Sequence, residues 1–154
     1  MNKLRAVFTQ MSIEAANLAA ERMQEKLHTM ADLIVSKYYE NYTPRFYQRS
    51  FGLHKTINDD LSLTTGLSDA IANIMVNSSK MGNWYVDGAD TVFELAMNQG
   101  IHGSTRVPER MTPPPLAEIE AEYKILLAER AAVAHQAMSE VAGKYASKIA
   151  QAVK

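Results

Sequence analysis

The sequence predicts an α+β fold in which helix dominates: a long N-terminal helix, a small antiparallel β-hairpin or sheet, and a long C-terminal helix. Two observations carry this prediction. Apolar residues recur every three or four positions towards both ends of the chain, as they do on the buried face of a helix. Short strand-like runs and turn residues fill the middle. With 154 residues, the chain suits one domain covering residues 1–154.

The predicted N-terminal helix runs over residues 12–38, with Ser12 as its N-cap. No proline or glycine interrupts this segment. Pro44 prevents further continuation, because the residue before a proline disfavours helical backbone angles. The predicted apolar stripe consists of Ile13, Ala16, Ala20, Met23, Leu27, Met30 and Ile34.

Residues 39–99 are predicted to hold an aromatic elbow, short strands and a short helix. Apolar and β-branched residues within 69–79 favour a strand, and "WYVDG" follows as a second one, so we expect a hairpin over residues 70–87. The segment "LHKTINDDLSL" is compatible with either a short strand or a helical turn.

The last third of the chain contains a short helix, a loop and the second long helix. The short helix, "DTVFELAMNQ", is predicted to end at Gly100. Residues 100–115 form a Gly/Pro loop whose final prolines lead into a long helix over residues 116–150, since proline is tolerated in a first helical turn. The predicted stripe of this helix consists of Leu116, Ile119, Tyr123, Leu126, Val133, Ala137, Val141, Tyr145 and Ile149.

The composition narrows the range of functions. A net charge of −1 gives the chain no general attraction to DNA or to a membrane surface. The absence of cysteine excludes disulfides, thiolate metal sites and a cysteine nucleophile. No apolar run of about 18 residues predicts a transmembrane helix, so we expect no membrane partner.

The motifs of common enzyme and cofactor sites are absent from the sequence. There is no G-x-S-x-G elbow, no phosphate-binding glycine loop and no H-E-x-x-H zinc motif. His28 and His135 lie singly on predicted helices, where histidine usually has a structural or surface role. We therefore expect no enzyme, no catalytic residue, no cofactor and no bound metal.

The segment "YYENYTPRFYQRSFGL", residues 38–53, concentrates six aromatic residues beside Arg45 and Arg49. Exposed aromatics with nearby arginines can stack on the bases of single-stranded nucleic acid. Two arginines are too few for a continuous phosphate track, so the sequence favours packing of these rings under the end of the first helix.

This segment, extended to "YYENYTPRFYQRSFGLHKTI", resembles a tyrosine-rich motif of neck or tail-completion proteins of long-tailed bacteriophages, which are described as tail components or minor capsid proteins. The segment "VFELAMNQGIHGS", residues 92–104, resembles the same family. Ser50 occupies a further position of the motif. The family motif and interface candidates are Tyr39, Tyr42, Pro44, Arg45, Tyr47, Arg49, Leu53, Ile57, Gly100, His102 and Gly103.

The resemblance implies a structural virion protein of the head–tail junction, made in the host cytoplasm, that forms a homo-oligomeric ring and joins the tail tube to the connector. Its expected partners are other neck and tail proteins, with DNA passing through the channel without specific binding. In one hypothesis, the basic segment 38–57 meets the acidic segment 58–100 of a neighbouring subunit. In another, the acidic segment faces the channel.

Two alternative functions come from the same residues. One is a small nucleic-acid-binding module that uses the Tyr/Arg segment 38–57. The other is a phage assembly chaperone with an adaptable, methionine-rich helix surface.

Overall fold

The computed structural model describes residues 2–41, 51–66, 69–81, 88–102 and 109–153, and its helix-dominant α+β fold confirms the predicted class. The helices are α1 (Asn2–Glu40), α2 (Ala89–Phe93), which continues into a π-helical turn (Glu94–Asn98), and α3 (Pro115–Val153), with 3-10 helices at Gly52–Thr56 and Ser78–Lys80. The strands are β1 (Ile57–Ser62), β2 (Ile71–Val76), β3 (Ile101–His102) and β4 (Glu109–Arg110). β1 pairs with β2, and β3 pairs antiparallel with β4.

The chain forms two compact units. The first unit consists of Met1–Lys26, Asp60–Asn73 and Leu126–Lys154, and the second unit consists of Leu27–Asp59 and Ile74–Ile125. Both long helices and the β1–β2 ribbon contribute to both units. Within the described ranges, no helix is long and apolar enough to span a membrane.

α1 begins at Asn2, so the prediction that Ser12 caps the helix is wrong. The residues before Ser12 lack proline and glycine, and two of them, Val7 and Met11, pack against the C-terminal part of α3. This tertiary contact extends the helix towards the N-terminus, because packing of an apolar face supplies most helical stability. α1 ends at Glu40, close to the predicted boundary, and Pro44 lies outside the described residues.

In the first unit, α1 and α3 pack antiparallel. The hydroxyl of Tyr145 donates a hydrogen bond of 2.9 Å to the carboxylate of Glu14, and this bond raises the pKa of Tyr145. Further along α1, Lys26 pairs with Glu129 at 2.6 Å. The residue numbers of the contacts on α3 therefore decrease as those on α1 increase, as expected for antiparallel helices. The apolar contact between the helices is made by Met11, Ala15, Val141 and Tyr145, with Val7, Leu18, Ala142 and Ile149 around them.

The predicted apolar stripes agree with the buried faces over most of their length. On α1 the stripe from Ala20 to Ile34 is largely buried, but Met11 and Ala15 are buried near the N-terminus in place of the predicted Ile13 and Ala16. The fully buried part of the α3 stripe consists of Ile119, Val133, Ala137, Val141 and Tyr145.

β2 confirms the strand predicted within residues 69–79, but its partner in the described part of the chain is β1. The backbone N–H of Asn77 donates to the carbonyl oxygen of Thr56 at 2.8 Å, so the end of β2 lies beside the beginning of β1, as in an antiparallel pair. The predicted partner strand, "WYVDG", lies outside the described residues except for Gly88.

In the first unit, the β1–β2 ribbon is attached to α1 through amide side chains. Asn17 donates from Nδ2 to the carbonyl oxygen of Thr64 at 2.9 Å, and its Oδ1 accepts from the Thr64 backbone N–H at 2.8 Å. The Oε1 atom of Gln24 accepts from the backbone N–H of Asn73 at 3.0 Å. Thr64 follows the end of β1 by two residues and Asn73 lies in β2, so these bonds satisfy backbone groups in and beside the ribbon.

The second unit contains the larger apolar cluster, which gathers the C-terminal part of α1, the 3-10 helix before β1, the α2 region and the beginning of α3. Its buried members are Ala31, Ile34, Val35, Tyr38, Tyr39, Leu53, Ile57, Met81, Ala96, Met97, Met111 and Ile119.

Gly100 ends the helical segment, as predicted, and permits a close backbone contact. Its φ is 66°, a left-handed conformation that favours glycine. A Cβ atom at Gly100 would lie 2.3 Å from the carbonyl oxygen of Met111, whose N–H donates to the Gly100 carbonyl at 2.9 Å. The predicted loop 100–115 therefore contains a short β pair, with Ile101 opposite Arg110.

We expect Gly100→Ala to lower the free energy of unfolding by about 2–5 kcal/mol, because it adds left-handed strain and overpacking. Gly143→Ala is the matched control. Gly143 lies in α3 with nothing within 4 Å of an added Cβ, so this change should stabilise the protein by about 0.5–1 kcal/mol. Urea unfolding measures both, and equal effects of the two substitutions would contradict the close-contact explanation.

We expect Glu140→Gln to lower the urea midpoint at pH 7. Arg22, 2.5 Å from Glu140, and Lys144 hold the pKa of this carboxyl below its ordinary value. A lowered folded-state pKa gives stability that is present above the unfolded pKa and lost as the pH falls through the folded pKa. The difference between wild type and variant should therefore begin to shrink as the pH falls below the ordinary pKa of a glutamate, about 4.3, and disappear once the pH is below the lowered pKa of folded Glu140. Glu21→Gln, at an exposed position of α1, is the control; a pH-independent difference would argue against the ion pair.

Candidate functional site

The C-terminal turn of α1 joins the two segments that the sequence singled out. Tyr38 and Tyr39 are buried, with 3% and 8% of their surface exposed. The hydroxyl of Tyr38 donates a hydrogen bond of 2.8 Å to the carbonyl oxygen of Ile101. The described beginning of the tyrosine-rich segment is thereby fixed to the backbone that follows Gly100, so Tyr38 and Ile101, one from each stretch of motif, lie together in the second unit.

Tyr39 organises the return of the chain towards β1. Its ring meets Phe51 edge-on, with centroids 5.0 Å apart, and stacks on His54 at 5.4 Å. Its hydroxyl oxygen accepts a hydrogen bond of 3.0 Å from the buried backbone N–H of Leu53. Phe51 has a left-handed φ of 53° and is the N-cap of the 3-10 helix that contains Leu53. We call Tyr38, Tyr39, Phe51, Leu53 and His54 the aromatic elbow.

Two imidazole–carboxylate pairs fasten the segment after the elbow to α1. The Nδ1 atom of His54 pairs with the carboxylate of Asp32, and Nδ1 of His28 lies 2.7 Å from a carboxylate oxygen of Asp59. His28 and Asp32 are one helical turn apart on α1. The imidazole of His28 pairs with a carboxylate of the returning segment, and the carboxylate of Asp32 pairs with an imidazole of that segment. Among the residues that the structure describes, no group of three or more potential ligands could hold a metal ion.

A charged, open groove of about 1050 Å³ lies where α1 ends and α3 begins. Lys37 and Glu118 form an ion pair of 2.9 Å at its wall, and the hydrogen bond and charge of Glu118 raise the pKa of Lys37. Arg110 and Glu122 also line it. Small-molecule sites are usually enclosed and mainly apolar, so this open groove of mixed charge suits contact with a macromolecule better.

The candidate residues divide into those with a described position and those without one. Tyr39, Leu53 and Ile57 lie in the apolar cluster of the second unit, and Gly100 makes the close backbone contact with Met111. His102 lies in β3, and its side chain is outside the described part. The other candidates, which also lie outside the described residues, are Tyr42, Pro44, Arg45, Tyr47, Arg49 and Gly103.

The prediction that the aromatic rings serve packing is confirmed for Tyr38 and Tyr39, because their buried rings leave no open face for a base. Phe51 is 49% exposed. Sequence reasoning missed the pairing of His28 with Asp59 and of His54 with Asp32. The spacing His-x-x-x-Asp on α1, followed by His-x-x-x-x-Asp in the returning segment, is the signal that could have indicated it.

We expect Tyr39→Phe to lower the free energy of unfolding by about 1–3 kcal/mol, because the buried N–H of Leu53 loses its acceptor. Tyr123→Phe is the matched control: Tyr123 is half-buried on α3 and its hydroxyl has no partner within the described ranges, so its effect should stay within about 0.5 kcal/mol. Urea unfolding again provides the measurement. Equal stability of Tyr39→Phe and wild type would show that the Leu53 hydrogen bond contributes nothing.

Comparison with known proteins places the chain in a family. No curated protein and no solved structure shows significant similarity to it. The model of the YomN family matches residues 1–150, which include both long helices, the elbow and the loop after Gly100. This match covers nearly the whole chain, and the chain therefore belongs to the YomN family, a family of bacteriophage origin.

Proposed function

We propose that this phage protein is a structural component of the virion, a ring-forming neck or tail-completion subunit at the head–tail junction. Two lines of argument support the proposal. The family is of phage origin, and the motif segments 38–57 and 92–104 resemble those of neck proteins. In the described parts of these segments, Tyr38 joins the elbow to Ile101, so the resemblance concerns one connected region of the fold.

Exposed apolar surface is the observation that carries the assembly role. Single exposed apolar side chains are ordinary on protein surfaces, but here Leu61, Leu63 and Ile71, all in the first unit, are 39–54% exposed on or beside one two-stranded ribbon. Clustered apolar exposure marks surfaces that become buried against a partner. Further large apolar side chains are exposed on the long helices: Phe8, Leu33, Ile125, Met138 and Val153.

The arrangement of the described residues suits a scaffold. Polar side chains near the elbow connect separate segments of the chain. Asp32 and Asp59 bind the two imidazoles, and the tyrosine hydroxyls bind the backbone of Ile101 and Leu53. A subunit of a ring needs this kind of rigid geometry, because small errors at each contact accumulate around a closed ring.

Mass spectrometry of purified particles of the encoding phage tests this function. We expect the protein at a fixed, low copy number relative to the major capsid protein, and we expect deletion of its gene to give filled heads and separate tails. Complementation with the wild-type gene is the control for the deletion. Abundance in the infected cell with absence from finished particles would contradict the proposal and favour an assembly chaperone.

A further inference from the structure

Two exposed surfaces of the first unit carry charges of opposite sign. Each of them also exposes apolar side chains. One is at the paired ends of α1 and α3, where residues 2–13 and 141–153 contain Lys3, Arg5, Lys144 and Lys148. The neighbouring carboxylates are those of Glu14, which accepts from the Tyr145 hydroxyl, and Glu140, which pairs with Lys144. Packing of Met11 and Ala15 of α1 with Val141 and Tyr145 of α3 brings the two segments together. We call Lys3, Arg5, Phe8, Lys148 and Val153 the basic end.

The basic end presents both charge and apolar surface. Lys3 and Arg5 are exposed, Phe8 is 43% exposed and Val153 is 69% exposed. Lys148 lies with its ammonium 4.5 Å from the centroid of the Tyr145 ring, an arrangement that directs its charge over the same end of the helix pair.

The second surface is the part of the β1–β2 ribbon that belongs to the first unit. Residues 60–73 contain Asp60 and Asp69 but no lysine or arginine. Ile71 is 54% exposed and Leu63, just after β1, is 48% exposed. The hydrogen bond of Asn77 with Thr56 places Asp60 opposite Asn73, so Asp60 and Ile71 share one face of the ribbon. Leu61, which is 39% exposed, points to the other face. We call Asp60, Asp69, Leu63 and Ile71 the acidic ribbon.

The two surfaces lie apart on the same subunit. The ribbon is hydrogen-bonded to α1 at Asn17 and Gln24, whereas Phe8 and Lys3 precede Asn17 by 9 and 14 residues. At about 1.5 Å per residue, this separation is roughly 14–21 Å along the helix. Contacts between two different surfaces of identical subunits run head to tail, and they close into a ring when the rotation between neighbours permits it.

We propose that the basic end of one copy docks on the acidic ribbon of the next copy, which makes this pair the subunit contact of the ring; the inference rests on the proposed function. Charge complementarity selects the partner surface, because each patch carries the sign that the other lacks. The apolar side chains of the two surfaces are buried against each other in the contact. Their burial supplies most of the affinity, because exposed ion pairs contribute little free energy in water. A nucleic acid would match the cations of the basic end but would leave Phe8 and Val153 without apolar cover.

Charge-reversal variants test the contact by sedimentation velocity at low and high salt. Lys3→Glu with Arg5→Glu changes the charge of the residues named as the basic end from +3 to −1, and Asp60→Lys with Asp69→Lys changes the charge of the acidic ribbon from −2 to +2. Lys144 is left out of this sum because it pairs with Glu140. Each double variant should weaken self-association at least tenfold. An equimolar mixture of the two should associate again, because every contact in the mixed assembly then joins opposite charges. Association of the wild type should weaken in 500 mM NaCl, where exposed charges are screened.

The matched control is Lys55→Glu with Lys80→Glu, which makes the same change of net charge at exposed positions of the second unit and should associate like the wild type. Glutamate near the N-terminus of α1 suits the helix dipole, so the end variant should fold. If the ribbon variant unfolds, as circular dichroism would show, Asp60→Asn with Asp69→Asn replaces it, with an expected smaller loss of association.

Three outcomes would overturn the contact: a monomeric wild type, reversed variants that associate like the wild type, or a mixture that does not recover. Loss of DNA binding by the end variant in a fluorescence titration, with its association unchanged, would make the end a nucleic-acid surface instead. Membership of the virion is measured separately by mass spectrometry of particles. Failure of this contact is therefore distinguishable from failure of the proposed function.

Discussion

The antiparallel pairing of α1 with α3 is the interaction on which the other elements of the first unit depend. The buried positions of this helix pair include the small residues Ala15 and Ala137, which allow close approach of the backbones, and the ion pair of Lys26 with Glu129 fixes the register. Exposed ion pairs contribute little free energy, so we assign stability to the apolar contact and specificity to the charges. α1 then serves as the support for the ribbon, because Gln24 binds the backbone of β2 at Asn73 and Asn17 binds the backbone at Thr64, just after β1.

In the second unit, aromatic side chains of α1 bind the backbone of other segments in the same way. Tyr38 and Tyr39 occupy the last turn of α1 and bind backbone groups of two distant segments, at Ile101 and Leu53. The elbow therefore fixes the positions of Ile101, just after Gly100, and of the segment that leads into β1. These tyrosines are buried in internal contacts. The candidate interaction surfaces are therefore the exposed ribbon and the ends of the helices.

The apolar periodicity could predict the long helices, and Gly100 could predict the end of the short helix, because both features depend on local sequence. α3 begins within one residue of its predicted start, and Gly100 takes the left-handed conformation that ends the helical segment. The beginning of α1 was not predictable, since Val7 and Met11 gain their helical stability from α3. The partner of β2 was missed because β1, "INDDLS", is mostly polar, and amide side chains on α1 help to fix the ribbon. Of the candidate site, the sequence could identify Tyr39, Leu53 and Gly100 through the motif, but the His–Asp pairs arise from a long-range return of the chain.

These features describe a protein with a well-fixed interior and, in its first unit, two exposed surfaces of opposite charge beside apolar residues. Cryo-electron microscopy of the neck in intact particles tests this account most directly. The account predicts a ring between the connector and the tail tube whose density fits repeated copies of the paired helices, with the basic end of each copy against the acidic ribbon of the next. A neck whose density holds no such helix pairs, or a ring in which these two surfaces face solvent, would contradict it.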